Sequence, residues 1–255
     1  MYSYRLSLLK NLKKIEINRS NESIKMTNIL RIDASARTGI SGIHPHGSLS
    51  RRLTELFINT WNEIDSSIQI KVRDVGANPP PLIDEEWIVS EFGYAESPEK
   101  AQQRLQFSDE LVDELNWADI IVLGVPMYNF GPPAHLKAYI DNVVRMNKTY
   151  KYDNSKAQPY IGLLDHEKPV ILLSARGGHD FDSANTPFAN HVGPSIKTAF
   201  NFMGLEKFHE IAIEYQEYGG DLLQKSIAEA ELKTTALVHK LQQQFDKKRN
   251  CAVSR

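Results

Sequence analysis

The sequence predicts an α/β protein, a three-layer sandwich in which helices cover both faces of a parallel sheet. Two continuous apolar runs, one ending at Pro126 and one at residues 169–174, have the length of strands buried on both faces. Segments with apolar residues at helical spacing alternate with these runs, an order typical of parallel α/β sheets. Three of the predicted strands end in loops of unusual composition, at the edge where such sheets bind ligands.

The first predicted strand, Asn28–Asp33, leads into a loop of small and polar residues and then into a helix. Ser48 or Ser50 is a suitable N-cap for that helix. Its apolar face is formed by Leu53, Leu56, Phe57, Thr60, Trp61 and Ile64. A second strand, Ile68–Val75, is followed by the turn Asn78-Pro79-Pro80-Pro81.

The rest of the chain continues this alternation and completes five strands. The segments are a short helix at 84–92, a helix at 97–116, the strand ending at Pro126, a helix opened by Gly131-Pro132-Pro133, an excursion or hairpin at 148–167, a strand at 169–174, a helix at 194–203, a strand at 206–213 and a helix at 221–245. No internal repeat or linker divides them. We therefore expect a single domain over residues 27–246, a flexible extension at 1–26 and a basic tail at 247–255.

The overall composition indicates which classes of binding partner to expect. The 255-residue chain is 41% apolar and 24% charged, with a formal net charge of −2. This balance predicts neither nucleic-acid binding nor attachment to an anionic membrane. No apolar run approaches the roughly 20 residues that span a bilayer. The single cysteine, Cys251, favours a reducing, cytoplasmic setting.

The loop after the first strand suits an anion. Its hydroxyl groups, on Ser35, Ser48 and Ser50, precede a helix N-terminus, where free N–H groups and the helix dipole favour a phosphate. The sequence has no G-x-G-x-x-G motif. Gly42 and Gly47 have Walker A spacing, but the lysine and hydroxyl that must follow are missing. The single terminal phosphate of a mononucleotide such as FMN therefore suits this loop better than a triphosphate.

Two further loops belong to the same crevice. Met127-Tyr128-Asn129-Phe130 follows the strand that ends at Pro126, and Arg176-Gly177-Gly178-His179 follows the strand at 169–174. The carboxyl ends of parallel strands share one edge, so the three loops are expected to form three walls of one site. In the first loop His44 and His46 lack a third ligand, and we predict no metal site.

Several separated motifs resemble those of the FMN-dependent NADH:quinone oxidoreductases, also called NADH-azoreductases. They are Pro126–Phe130 followed by Leu136-Lys137-x-Tyr139-Ile140-Asp141, Val72-Arg73-Asp74 with Ala77-Asn78-Pro79, and Arg176-Gly177-Gly178. The resemblance runs from about Asn28 to about Leu241. It implies a flavodoxin-like fold with a five-stranded parallel sheet in the order 2-1-3-4-5, a homodimer, and one FMN per subunit.

The resemblance also implies which residues hold the cofactor. The phosphate and ribityl end would be held by Ser35, Ser48, Leu49 and Ser50. The isoalloxazine ring would be flanked by Met127, Tyr128, Asn129 and Phe130. Backbone amides for the pyrimidine edge would come from Ala175, Arg176, Gly177 and Gly178.

Two further points concern the residues on the substrate side of the flavin ring and two departures from the family pattern. Phe130 and Tyr152 are our candidates for aromatic walls that stack the ring of NADH or substrate, with His179 and Tyr218 as weaker candidates. The family usually has a serine where Ala175 stands, and the inserted segment Gly39–Gly47 lengthens the first loop.

The implied reaction is a two-electron ping-pong cycle. NADH reduces the flavin and leaves, and a quinone or an aromatic azo compound is then reduced. The flavin carries this chemistry, so we predict no catalytic side chain.

Two alternatives are weighed against this reaction. A flavodoxin-type electron carrier would share the fold and FMN, but such carriers are usually strongly acidic, unlike this chain. A hydrolase would need a nucleophile elbow, and Gly193-Pro194-Ser195-Ile196-Lys197 lacks its second glycine and does not follow a strand.

Overall fold

The computed structural model describes residues 26–183 and 188–253, which contain seven strands and six helices. In chain order these are β1 (Thr27–Asp33), α1 (Leu49–Ile64), β2 (Ile68–Asp74), α2 (Glu85–Glu91), α3 (Pro98–Trp117), β3 (Ile120–Pro126), α4 (Ala134–Val143), β4 (Tyr150–Tyr152), β5 (Tyr160–Gly162), β6 (Pro169–Ala175), α5 (Val192–Phe202), β7 (Lys207–Ile213) and α6 (Gly220–Val253).

The main sheet has five parallel strands in the order β2-β1-β3-β6-β7. With the two hairpin strands set aside, this is the predicted order 2-1-3-4-5, and the flavodoxin-like α/β fold is confirmed. Every residue of β3 and of β6 is buried, as the continuous apolar runs predict for central strands covered on both faces.

Two apolar cores lie on opposite faces of the sheet. Alternate residues of β3 enter alternate cores, because successive side chains of a strand point to opposite faces. Ile121 and Leu123 pack with α3, α4 and α5, and Ile120 and Val122 pack with α1 and α6. Full burial of each such side chain stabilises the fold by about 1.5–3 kcal/mol.

The predicted excursion at 148–167 contains an antiparallel hairpin of β4 and β5. Its tyrosines pack on one another and on Phe202 of α5, with ring centroids 4.7 Å apart for Tyr150–Phe202 and 5.3 Å apart for Tyr160–Phe202. The hairpin is therefore joined to the domain through aromatic contacts and not through the main sheet.

The end of the last helix corrects one prediction. α6 continues to Val253, so residues 247–253 extend the helix and are not the tail that we expected. The Phe245 ring packs edge-on against Trp61, with centroids 5.7 Å apart, and Arg249 donates a hydrogen bond to Asp65 at the end of α1. Beyond Phe245, ion pairs of Arg249 with Asp65 and of Lys248 with Glu167 hold the basic part of the helix on the domain.

The predicted extension at 1–26 lies outside the described residues, apart from Met26. In the part of the chain that the structure describes, no helix has the length and apolarity needed to cross a membrane.

Candidate functional site

A cavity of about 330 Å³ lies at the carboxyl edge of the sheet, where the loops after β1, β3 and β6 meet. The loop after β7 adds a fourth wall. The lining residues are Ser35, Arg37, Ser48, Leu49, Pro126, Met127, Tyr128, Ala175, Gly177, Gln216 and Glu217. The volume is near the lower end of the roughly 300–1,000 Å³ typical of small-molecule sites. The structure thus brings the three predicted loops to one cavity.

The wall formed by the first loop has the features of an anion site. Ser48 is the N-cap of α1, and its side chain accepts a hydrogen bond from the Arg51 N–H. The first turn of α1 contains no acidic residue, so the positive end of the helix dipole is not neutralised there. Ser50 is buried behind this wall, with its hydroxyl 3.0 Å from that of Ser48. Ser35 lines the cavity and accepts a hydrogen bond from the Arg37 N–H at 3.2 Å.

The inserted segment 39–47 folds back on itself. The Ser48 N–H donates to the Gly39 carbonyl at 2.7 Å, which closes the segment at its base. His44 Nδ1 accepts a hydrogen bond from the Ile40 N–H at 3.1 Å, so this imidazole stabilises the turn. Because the insertion closes on itself, Ser35 before it and Ser48 after it can still face the same cavity.

A buried arginine lies behind the first loop. The Arg51 guanidinium donates to the Ser35 carbonyl at 2.8 Å and to the Arg37 carbonyl at 2.7 Å. It also forms a bidentate pair with Asp74 at 2.7 and 2.6 Å. Burial alone would raise the pKa of Asp74, but the hydrogen bonds from Arg51 and from the Ala77 N–H outweigh it and lower the pKa. Asp74 is therefore ionised at neutral pH and the pair is retained.

The second loop begins inside the cavity and ends at its rim. The Met127 N–H donates to the Ala175 carbonyl at 2.8 Å, and the Tyr128 hydroxyl accepts from the Ala36 N–H at 3.3 Å. Asn129 and Phe130 follow, with φ angles of 48° and 68°, in the left-handed region. They are not among the residues that line the cavity. Strain of this kind is frequent in binding loops and persists only where packing holds it.

Aromatic packing holds the strained Phe130. Its ring stacks on Phe188 at 5.2 Å between centroids, and it meets Phe181 edge-on at 6.0 Å. Its carbonyl accepts a hydrogen bond from the His191 N–H at 2.8 Å. Phe130 is 40% exposed, so one part of the ring remains available at the rim.

The third loop is hydrogen-bonded along its backbone to the loop after β7. The Arg176 N–H donates to the Ile213 carbonyl, and the carbonyls of residues 176, 177 and 178 accept from the N–H groups of Gln216, Glu217 and Tyr215 respectively. Within residues 26–183 and 188–253, no backbone carbonyl accepts from the Gly177 or Gly178 N–H. These two amides can therefore serve a ligand, whereas the Arg176 amide cannot.

The Arg176 side chain does not face the cavity. It is buried and pairs with Asp182, Glu210 and Glu214 at 2.5, 3.0 and 3.3 Å. Its role is to hold the third loop against β7, because one guanidinium pairs both with Asp182 on its own side and with Glu210 and Glu214 in and just after β7.

The candidate Tyr152 and the weaker candidates His179 and Tyr218 lie outside the cavity lining. His179 stacks on Tyr215 at 4.4 Å and meets Tyr218 at 5.4 Å, and its Nδ1 is 2.8 Å from Asp180 Oδ2. Tyr152 is 55% exposed and packs on Tyr160 of the hairpin.

The predicted site residues thus divide into two groups. The lining includes Ser35, Ser48, Leu49, Met127, Tyr128, Ala175 and Gly177. The lining does not include Ser50, Asn129, Phe130, Tyr152, Arg176, Gly178, His179 and Tyr218.

Sequence reasoning missed four residues of this region. Arg37 lay within the predicted anion loop, and its charge was a usable signal. Arg51 on a helix is usually taken for a solvent-exposed side chain. Gln216 and Glu217 lie between two tyrosines and just before Gly219-Gly220, a signal after the last strand that sequence reasoning did not connect with the site.

The arrangement fits a ligand with an anionic end and a flat end. The first loop supplies hydroxyl groups and a helix N-terminus, and the second and third loops supply Met127, Tyr128, Ala175 and Gly177. An added Cβ at Gly177 would stand 2.6 Å from Glu217 Oε1, so a side chain there would require Glu217 to move. The donor set thus fits FMN, with the phosphate at the serines and the ring at the second and third loops.

Comparison with known proteins agrees with this geometry. A profile of the flavodoxin-like fold family matches residues 27–238. The chain is 36% identical over 218 residues to the FMN-dependent NADH:quinone oxidoreductase 2 of Colwellia psychrerythraea, covering 85% of this chain and 100% of the relative. It is 39% identical over 209 residues to the FMN-dependent NADH:quinone oxidoreductase of Nostoc sp., covering 80% and 95%.

A solved structure is similar in fold. The crystal structure of azoreductase from Bacillus anthracis str. Sterne gives a TM-score of 0.72 at 23% identity, and the alignment covers 84% of this chain and 100% of that one. Sheet order, cavity and curated relatives therefore agree, and the chain belongs to the flavodoxin-like family of FMN-dependent NADH:quinone oxidoreductases.

Proposed function

We propose that this chain uses FMN to transfer two electrons from NADH to quinones, and to aromatic azo compounds, in a ping-pong cycle. The observation that carries the proposal is the cavity at the carboxyl edge of the sheet, which combines a helix N-terminus without acidic residues and the free amide of Gly177. When bound, FMN supplies the hydride acceptor and donor of the reaction.

The residues of the chain have separate tasks in this proposal. The phosphate is held by Ser35, Ser48 and the N–H groups that begin α1. Met127 and Tyr128 orient the ring. The free Gly177 N–H would face its pyrimidine edge, where a fixed dipole stabilises negative charge, with the free Gly178 N–H next to it in the chain. Phe130 and Tyr152 offer aromatic surface for the ring of NADH or substrate.

We further propose that two copies of the chain form a homodimer in the cytoplasm, with one FMN per subunit. The described surface leaves Phe130, Tyr152, Tyr160 and Phe188 partly exposed, and a second copy would cover apolar area of this kind. Light scattering after size-exclusion chromatography tests this proposal. A dimer is expected to have twice the 29.0 kDa mass of the chain, and a monomeric mass would contradict it.

A spectroscopic titration tests the proposed reaction. The purified protein, loaded with FMN, is expected to lose its flavin absorbance when NADH is added under anaerobic conditions, and to regain it when benzoquinone follows. Initial rates should give parallel double-reciprocal lines. A protein that does not bind FMN, or whose FMN does not react with NADH, would contradict the proposal. A stable semiquinone on photoreduction without NADH oxidation would indicate an electron carrier.

A further inference from the structure

We propose that Arg51 is the positioning residue of the phosphate end of the cofactor site, an inference that rests on the proposed use of FMN. Arg51 is on the first turn of α1 and is only 4% exposed. It is not among the residues that line the cavity, so it would act through the loop that it holds.

The contacts of Arg51 fix the first loop at two points. Its Nη2 donates to the Ser35 carbonyl at 2.8 Å and its Nε donates to the Arg37 carbonyl at 2.7 Å. The side chains of Ser35 and Arg37 both reach the cavity. Because both carbonyls are turned to the guanidinium, the orientation of these two residues toward a ligand depends on Arg51.

The same guanidinium joins this loop to the turn after β2. Asp74, the last residue of β2, accepts two hydrogen bonds from Arg51 and one from the Ala77 N–H. Gly76 lies in that turn, where an added Cβ would stand 2.1 Å from the Ser35 carbonyl oxygen. The turn and the loop therefore pack without space between them, and Arg51 is the polar link.

The charges around Arg51 explain why its loss is expected to weaken the binding of a phosphate more than that of a ligand without one. Asp33 is buried and its carboxylate lies 3.6 Å from Arg51 Nη1, so two acidic side chains flank the guanidinium. Without Arg51, Asp74 and the two loop carbonyls would lose a cationic donor, and Asp33 would lose a neighbouring positive charge while keeping its ion pair with Arg31. A dianionic phosphate would then meet a more negative environment, whereas a flavin without phosphate would not.

The test compares FMN with riboflavin, which has the same ring but no phosphate. Flavin is removed from the purified holoprotein, and the quenching of flavin fluorescence gives a Kd for each ligand. In the Arg51→Met variant we expect the Kd of FMN to rise by at least about tenfold while the Kd of riboflavin changes by less than about twofold. Arg51→Lys, which keeps the charge but not the bidentate geometry, should fall between Met and wild type.

The adjacent residue provides a matched control. Arg52 is on the same helix and pairs with Glu231 at the surface at 2.6 Å. Arg52→Met should leave both affinities within about twofold of wild type. An Arg51→Met protein with the wild-type ratio of FMN to riboflavin affinity would overturn the proposal, and so would equal losses for both ligands, which indicate a purely structural role.

A second variant covers the case in which Arg51→Met does not fold. Arg51→Lys keeps the positive charge, but a single ammonium group cannot donate to both loop carbonyls and to Asp74, so the ratio of FMN to riboflavin affinity is expected to fall by about threefold or more. An unchanged ratio would overturn the proposal. Failure of the wild-type protein to bind FMN would instead contradict the proposed function, so the two failures are distinguishable.

Discussion

At the scale of single residues, Ser174 and Ala175 show how one position along a strand decides the role of a hydroxyl. Successive side chains of β6 point to opposite faces of the sheet. Ala175 therefore lines the cavity, while Ser174 is fully buried, and its Oγ has no hydrogen-bond partner among the described residues. The cavity thus has an alanine at the position where the resemblance led us to expect a serine, and the hydroxyl of Ser174 lies on the other face of the sheet.

We predict that Ala175→Ser tightens FMN binding about three- to tenfold, because one hydrogen bond contributes about 0.5–1.5 kcal/mol. Fluorescence titration of the deflavinated protein measures the effect. Ser174→Ala is the matched control, and it should leave FMN affinity unchanged and the free energy of unfolding equal or higher. Weaker FMN binding in Ala175→Ser would show that the hydroxyl does not reach the ligand.

Glu217 is the one carboxylate in the lining of the cavity, and its Oε1 lies over Gly177. A negative charge beside the ring disfavours the reduced, anionic flavin. We predict that Glu217→Gln raises the midpoint potential of bound FMN by about 30 mV, equivalent to roughly 1.4 kcal/mol for a two-electron couple. Potentiometric titration gives the value, with Gln216→Asn as the control. A lower or unchanged potential would place Glu217 away from the ring.

The residues that sequence reasoning found and missed differ in a physical way. Ser35 and Ser48 could be predicted, because hydroxyl groups just before a helix N-terminus are recognisable from the local sequence. Arg51 could not be predicted, because its importance comes from partners on another strand and in another loop. Glu217 required knowledge of which loop returns to the cavity, and that depends on contacts distant in sequence.

At the scale of elements, the strands and helices were largely predictable, because their apolar periods match their burial. β3 and β6 are central in the sheet, as their continuous apolar runs predict. The predicted end of α6 at residue 245 was wrong, because the basic residues that follow have no apolar period to indicate a helix. The ion pairs of Arg249 with Asp65 and of Lys248 with Glu167 hold this part of the helix on the domain, and such partners are distant in sequence.

The contact between α6 and α1 gives a pH-dependent prediction. Burial raises the pKa of Asp65, but hydrogen bonds from Ser67 and Arg249 outweigh it and lower the pKa in the folded protein. A depressed carboxyl pKa stabilises the fold above the unfolded value of about 3.9, and this contribution is lost as the pH falls through the folded pKa.

We therefore predict that Arg249→Gln lowers the free energy of unfolding by about 0.5 kcal/mol at pH 7, the scale of a partly exposed ion pair. The difference from wild type should shrink below about pH 4. Urea denaturation at several pH values measures it, and Lys247→Gln serves as the control on the same helix. A difference that is constant with pH would mean that Asp65 is not the partner.

At the scale of the whole molecule, the sheet order and the position of the cavity could be predicted from the alternation of strands and helices. The depth and the lining of the cavity could not. The cavity connects four separate loops, so FMN is expected to stabilise the entire domain. At a free concentration of 100 Kd a ligand adds about 2.7 kcal/mol.

We predict that FMN at this concentration raises the Tm by about 5–10 °C, since 1 kcal/mol corresponds to roughly 2–4 °C in a domain of this size. Differential scanning calorimetry measures the shift. Riboflavin at the same concentration should give a smaller one. Equal shifts for both ligands would mean that the phosphate contributes nothing.

The backbone pairing between the third loop and the loop after β7 has a consequence for how such proteins diverge. Four hydrogen bonds between residues 176–178 and 213–217 fix the number of residues on each side. An insertion in either segment would break the register of both. We expect relatives to vary in length together at these two places or not at all, so that the pair is inherited as one unit, while the segment 39–47, closed at its own base, is free to lengthen independently.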